Sequence, residues 1–144
     1  MKGNNPGIAL LLLRLIVGVV FLNHGLGKLI GPPFAGAGMD GWIAFVTQIG
    51  LPSPVLLSWV WVAIETLGGL ALILGAGTGV AGLLLAIGMA VAIVKVHLPH
   101  GFDVFRYGSL DARGYEYSLT LLVASLAIAV GGPGVLALRL KPGD

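Results

Sequence analysis

Ile8-Ala-Leu-Leu-Leu-Leu-Arg14-Leu-Ile-Val-Gly-Val-Val-Phe-Leu-Asn-His24-Gly25-Leu-Gly-Lys28-Leu-Ile30 is the stretch that decides the fold. Only a few polar side chains interrupt it, and roughly 20 apolar residues, rising ~1.5 Å each, are enough to cross ~30 Å of hydrocarbon as a helix. Three later runs, over 55–74, 80–98 and 115–130, repeat the pattern, and they carry Glu65, Lys95 and Glu116 inside or at their edges. Ionisable residues in such places are costly, so they face a bundle interior and mark either function or helix register. The order basic, acidic, basic, acidic along the four runs lets each charge find a partner.

Working outward, composition agrees with the four runs. The chain is 57% hydrophobic and 10% charged, with a mean hydropathy of +1.01, and cannot present a polar surface around a water-soluble core. Its net charge of +2 comes from Lys and Arg scattered at helix ends. No basic run points to a nucleic-acid partner. The absence of cysteine excludes thiol relays, cysteine-ligated iron–sulfur clusters and covalently attached haem within this chain. Gly31-Pro32-Pro33, Pro52-Ser53-Pro54, Gly75-Ala76-Gly77, Pro99 and Gly131-Gly132-Pro133-Gly134 punctuate the helices. The expected fold is therefore all-α: an integral membrane four-helix bundle, with residues 1–144 as a single transmembrane domain and helices over 8–30, 55–74, 80–98 and 115–130. Lys2 before the first run and Ala35-Gly36-Ala37 after it imitate a cleaved signal peptide. Arg14 within the apolar region favours a retained helix instead.

Four crossings put both termini on one side of the membrane, with the two longer connections on the other. Apart from Phe21, the aromatic residues fall in those longer connections or beside them: Phe34, Trp42, Phe45, Trp59, Trp61, Phe102, Phe105, Tyr107, Tyr115 and Tyr117. A single aromatic belt on one side points to a site there. Residues 39–49 place Trp42, Phe45, Val46 and Ile49 at helical spacing, as in a short interfacial amphipathic helix between helices 1 and 2. Lys2, Arg139 and Lys141 on one side nearly balance Lys28, Arg106 and Arg113 on the other. Cytoplasmic termini are the expectation.

Depth arithmetic selects which charges can meet. Arg14 lies roughly 9 Å inside one boundary and Glu65 roughly 15 Å inside the other, which leaves an axial gap of about 6 Å across a ~30 Å core. A structural ion pair between Arg14 and Glu65 is expected. His24, Lys28, Lys95, His97, Tyr115 and Glu116 form a second polar cluster near the aromatic belt. Together with Glu65 they are the candidate ligand-binding residues, since imidazole beside carboxylate suits proton exchange with a quinol or binding of its oxygens. No catalytic residue is assigned. His97 and His100 at i, i+3, with His24 and Glu116 at hand, offer metal ligands, and His24 with His97 could bracket a haem, but three loosely placed histidines make no specific ligand motif, and neither haem nor metal is expected. Ala71 and Gly75, then Gly82, Ala86 and Ala90, follow the spacing of small residues that lets membrane helices approach closely. Gly68-Gly69 serves either packing or ligand space beside Glu65.

The run from Arg14 through His24-Gly25 to Lys28, the segment Glu65-Thr-Leu-Gly68-Gly69 to Gly75, Lys95-Val-His97-Leu-Pro-His100-Gly101-Phe102, Tyr115-Glu116-Tyr117 and Gly131 to Gly134 together resemble the DoxX family of small four-helix bacterial membrane proteins. The resemblance covers nearly the whole chain and departs from the family pattern at Leu138-Arg139-Leu140. It implies a multi-pass protein of the bacterial inner membrane. It also implies kinship with a subunit of a quinone-linked terminal oxidase or thiosulfate:quinone oxidoreductase, with partners of redox-defence enzymes, and more distantly with assembly factors. Three functions follow as expectations. The first is a subunit of a quinone-linked oxidoreductase or redox-defence complex, not catalytic alone, that binds a quinone or similar lipophilic ligand. The others are a non-enzymatic scaffold with structural ion pairs, and a small-solute transporter. The expected partners are the lipid bilayer and either a redox protein or further copies of the chain. A ligand-sized cavity reaching Glu65 or His24 favours the first or the third, and a dry, tightly packed core favours the second.

Overall fold

A computed structural model describes residues 5–103 and 114–138. Lys2, Phe105, Arg106, Tyr107, Arg113, Arg139 and Lys141, which enter the belt and charge readings, lie outside the described residues, as do positions 139 and 140 of the divergent ending. The described chain is all-α: α1 Pro6–Ile30, α2 Gly38–Gln48, α3 Pro54–Leu74, α4 Thr78–Ala92 and α5 Glu116–Gly131. Pro6 and Pro54 open α1 and α3, where the missing N–H costs nothing and the fixed φ suits the first turn. Beyond Ala92, α4 continues through a π-helical turn, Ile93–His97, and a 3-10 turn, Leu98–His100. Pro99 accounts for the change of pitch, because its ring clashes with the carbonyl four residues back in a regular α-helix. With that extension, α4 spans 23 residues, beside 25 in α1 and 21 in α3, and all three are long and apolar enough to cross a membrane. α5 is apolar but shorter, at 16 residues.

The outer faces explain the composition. Leu12, Ile16 and Val19 on α1, Leu67 on α3, Val80 and Ile87 on α4, and Val123 on α5 are all more than half exposed. Water does not tolerate so much contiguous apolar surface on a folded protein, and hydrocarbon does. This is a multi-pass membrane protein.

Among the described helices, α1 packs broadly on α3 and α4 on α5, α3 meets α4 over a narrower seam, and α2 lies against α1 and α3. Lipid tails are as apolar as leucine, so close packing rather than burial holds such helices together. Glycines set both broad crossings. A Cβ on Gly69 would stand 2.6 Å from the Leu22 backbone nitrogen, and one on Gly82 would stand 2.6 Å from the Ser125 carbonyl oxygen. Gly68 abuts Leu85, so the Gly68-Gly69 pair is used for packing. In the expected small-residue stripe of α4, Gly82 and Ala86 are buried whereas Ala90 faces outward.

Arg14 corrects the expected pairing. It forms no ion pair with Glu65. Its guanidinium donates five hydrogen bonds to backbone carbonyls, from Nε to Pro133, from Nη1 to Leu72 and Ile73, and from Nη2 to Val135 and Leu136, at 2.5–3.1 Å. All five N–H donors of an arginine are thereby used. At the end of α3, Gly75 takes a left-handed φ of 75°. The Gly75 and Ala76 amides return to Leu72 and Ala71, and the Leu138 amide reaches Leu74. With Arg14 on Leu72 and Ile73, the last four carbonyls of α3, which no helix can satisfy internally, all have partners. The cation also stands at the negative end of the helix dipole. Depth arithmetic compared charges with charges, and took no account of a helix terminus as the counter-charge.

Candidate functional site

The true partner of Glu65 is Lys28. Lys28 sits in the last turn of α1, and its Nζ lies 2.5 Å from Glu65 Oε2, with the two side chains 13% and 4% exposed. Trp61, one turn before Glu65 on α3, donates from Nε1 to Glu65 Oε1 at 3.1 Å. An i, i+4 spacing puts the two on one helix face. Both carboxylate oxygens are thus occupied. Lys28 Nζ also lies 4.7 Å from the centre of the Trp42 ring, within reach of a cation–π attraction. Trp42 in turn stacks on Phe45, with ring centroids 5.4 Å apart.

Local sequence explains why these groups converge. Gly25 allows α1 to approach α3 at Thr66, the residue after Glu65: a Cβ on Gly25 would be 2.7 Å from the Thr66 backbone nitrogen. After Gly31 the chain doubles back over the end of α1. The Ala35 amide donates to Asn23 Oδ1 at 3.1 Å, and Gly36 packs against Gly27 with no room for a side chain. That return brings α2, and with it Trp42, over Lys28.

A cavity of about 370 Å³ opens beside this cluster. Its walls include Phe21, His24 and Lys28 of α1, Trp42, Phe45 and Ile49 of α2, Trp61 and Glu65 of α3, Met89 of α4, Lys95 and His97 of the π-helical turn, and Tyr117, Ser118 and Leu121 of α5. His24, Lys28, Glu65, Lys95 and His97, all candidates from sequence, therefore share one space. The widened π-turn carries Lys95 and His97, consistent with the tendency of such turns to occur at functional sites. Tyr115 and Glu116 are not in the wall. Tyr115 packs edge-to-face on Phe102, with centroids 5.3 Å apart. The Tyr115 and Glu116 amides donate to the Gly101 and Phe102 carbonyls at 3.0 Å, which fixes the start of α5. Their neighbour Tyr117 takes the place at the wall. Sequence reasoning treated Trp42 and Trp61 as belt residues and missed their polar contacts. The Trp61–Glu65 spacing was the available signal, whereas nothing in the sequence pointed Trp42 at Lys28.

The Trp42 indole N–H is buried and makes no hydrogen bond among the described residues, and such an orphan is expensive unless a ligand or water completes it. Flat aromatic walls, the Lys95 ammonium and a fixed carboxylate–ammonium pair suit a planar, oxygen-bearing, lipophilic molecule. Among the described residues, no group of three or more His, Asp or Glu side chains gathers as metal ligands would.

Comparison with known proteins agrees with this architecture. Residues 9–98 match the model of the DoxX family. Over 131 residues the chain is 36% identical to a protein of Bacillus subtilis (strain 168) named "Putative oxidoreductase CatD", covering 91% of this chain and 84% of that one. No solved structure matches the chain.

Proposed function

This chain belongs to the DoxX family, and we propose that within it the protein is the integral membrane subunit of a quinone-linked oxidoreductase or redox-defence complex, holding a quinone or similar lipophilic ligand beside Glu65. The observation that carries this reading is the cavity of about 370 Å³ that reaches both Glu65 and His24. Lys28 and Trp61 hold the Glu65 carboxylate in place. The Lys95 ammonium is the donor that binds ligand oxygens, and His24 is the group suited to passing a proton. A bound quinone supplies two-electron, two-proton chemistry, with the electrons coming from a partner redox protein. The oxidoreductase name borne by the Bacillus subtilis relative favours redox chemistry over solute transport.

In this reading α1, α3, α4 and α5 form a four-helix bundle in a bacterial inner membrane with both termini cytoplasmic. α2 lies in the opposite interface over the cavity mouth. The scaffold reading draws on one observation, that Arg14 is wholly engaged with backbone carbonyls.

The test is equilibrium binding of a quinone analogue to the purified protein in lipid nanodiscs, with melting temperatures recorded in parallel. Removing a hydrogen bond to a charged group costs about 1.5–3 kcal/mol, so Lys95→Met is expected to weaken binding roughly 10- to 100-fold. His24→Ala weakens it as well. Equal affinity in every folded variant, or no saturable binding by the wild type, would move the assignment to a scaffold.

A further inference from the structure

A second, smaller cavity of about 70 Å³ lies between α3 and α4 and is walled by Ile64, Leu84, Leu85, Ile87 and Gly88. It shares Phe21, Trp61, Glu65 and Met89 with the main cavity, so these four side chains form a wall common to both spaces, and the smaller space is lined by apolar surface alone. Its outer edge is the lipid-facing surface, where Leu84 is 40% and Ile87 53% exposed. It follows the narrow α3–α4 seam. Gly88 lines it, and a Cβ there would meet the Trp61 ring at 3.5 Å, an ordinary van der Waals distance.

We propose that this seam is a lateral port for the ligand, in which an isoprenoid or acyl tail runs out into the bilayer between α3 and α4 while the head group sits beside Glu65. The inference rests on the reading of the main cavity as a lipophilic-ligand site. A volume of about 370 Å³ is near the lower end of the roughly 300–1,000 Å³ of ligand pockets. It holds a substituted ring and leaves a long tail to be placed elsewhere. The tail gains little hydrophobic energy from the seam, since lipid is equally apolar. What the seam provides is a route that buries no polar group and leaves the Lys28–Glu65 pair intact. It also lets the ligand enter from the membrane, where a tailed molecule is concentrated, without crossing water.

The test uses Gly88→Leu, which fills the seam, and Gly88→Ala, which fits at van der Waals distance. Wild type and both variants, in nanodiscs, are titrated with a tail-free 1,4-benzoquinone and with the same quinone bearing a decyl tail. The expected result is that wild type and Gly88→Ala bind both, while Gly88→Leu keeps the tail-free quinone and loses the decyl form by at least tenfold. Decyl binding retained in Gly88→Leu overturns the port, and so does an equal loss of both ligands. A decyl quinone with a photoreactive diazirine at the tail end gives a second readout on the wild type. Labelling of Leu84 or Ile87 supports the port, and labelling confined to α1 and α2 overturns it. Failure of the wild type to bind either quinone removes the quinone reading itself, and the port with it.

Discussion

Lys28 Nζ meets Glu65 Oε2 at 2.5 Å across the α1–α3 crossing, so the buried carboxylate of α3 is balanced from the end of α1 and not by Arg14. The pair is the floor of the cavity as well as a bond between helices. It therefore couples the stability of the bundle to the shape of its candidate site.

Breaking one side of a buried pair leaves an uncompensated charge and typically costs about 3–5 kcal/mol. Glu65→Ala is expected in that range. Lys28→Ala falls at its high end, because the Glu65 carboxylate it leaves behind is only 4% exposed, whereas the Lys28 left by Glu65→Ala keeps 13% exposure that water in the cavity can reach. The Lys28→Met, Glu65→Leu double variant costs less than the sum of the single changes. Arg14→Ala combined with Glu65→Ala is additive to within about 0.3–0.5 kcal/mol, as for residues that do not touch. Thermal unfolding in detergent across both double-mutant cycles measures this, and strong coupling between Arg14 and Glu65 would contradict the observed geometry.

Arg14 acts through its number of donors. An ammonium has three donors where the guanidinium has five, so Arg14→Lys leaves carbonyls unpaired around a site that is 1% exposed. Each orphaned buried group costs about 1–3 kcal/mol. The variant should melt several degrees lower while quinone affinity stays unchanged. Hydrogen exchange should rise at the Val135 and Leu138 amides, which bond to Gly7 and Leu74, because Arg14 ties that segment to the end of α3. Unchanged exchange at both amides would remove the tie.

The crossing glycines differ in what a methyl group meets. On Gly25 it would press on the Thr66 backbone, which cannot yield as a flexible side chain can. Overpacking of this kind costs about 1–3 kcal/mol. Gly25→Ala is expected to lower the melting temperature and to weaken the coupling measured between Lys28 and Glu65, since α1 and α3 must part. Gly88→Ala, with only the Trp61 ring at 3.5 Å, serves as the tolerated comparison. Equal effects from the two substitutions would refute the close approach at Gly25.

Hydropathy, length and helix breakers made the membrane class, the helical runs and much of their boundaries legible in the sequence, because each is a local property of consecutive residues. Helix starts at Pro6 and Pro54 and the stop at Gly75 follow from backbone chemistry in the same way. His24, Lys28, Glu65, Lys95 and His97 stand out as polar groups in apolar sequence and line one cavity, whereas Tyr115 and Glu116, chosen by the same signal, are not in its wall. Partner choice was decided only in three dimensions. A rise of ~1.5 Å per residue gives depth along a straight helix, and carries no information about the direction in which a side chain leaves it. It also omits backbone carbonyls as counter-charges, which is how Arg14 came to rest at the end of α3 and Glu65 came to Lys28. The cavity depends equally on the tertiary fold: the return of the chain after Gly31, the close approach at Gly25 and the π-turn ahead of Pro99 bring five helices' residues around one space.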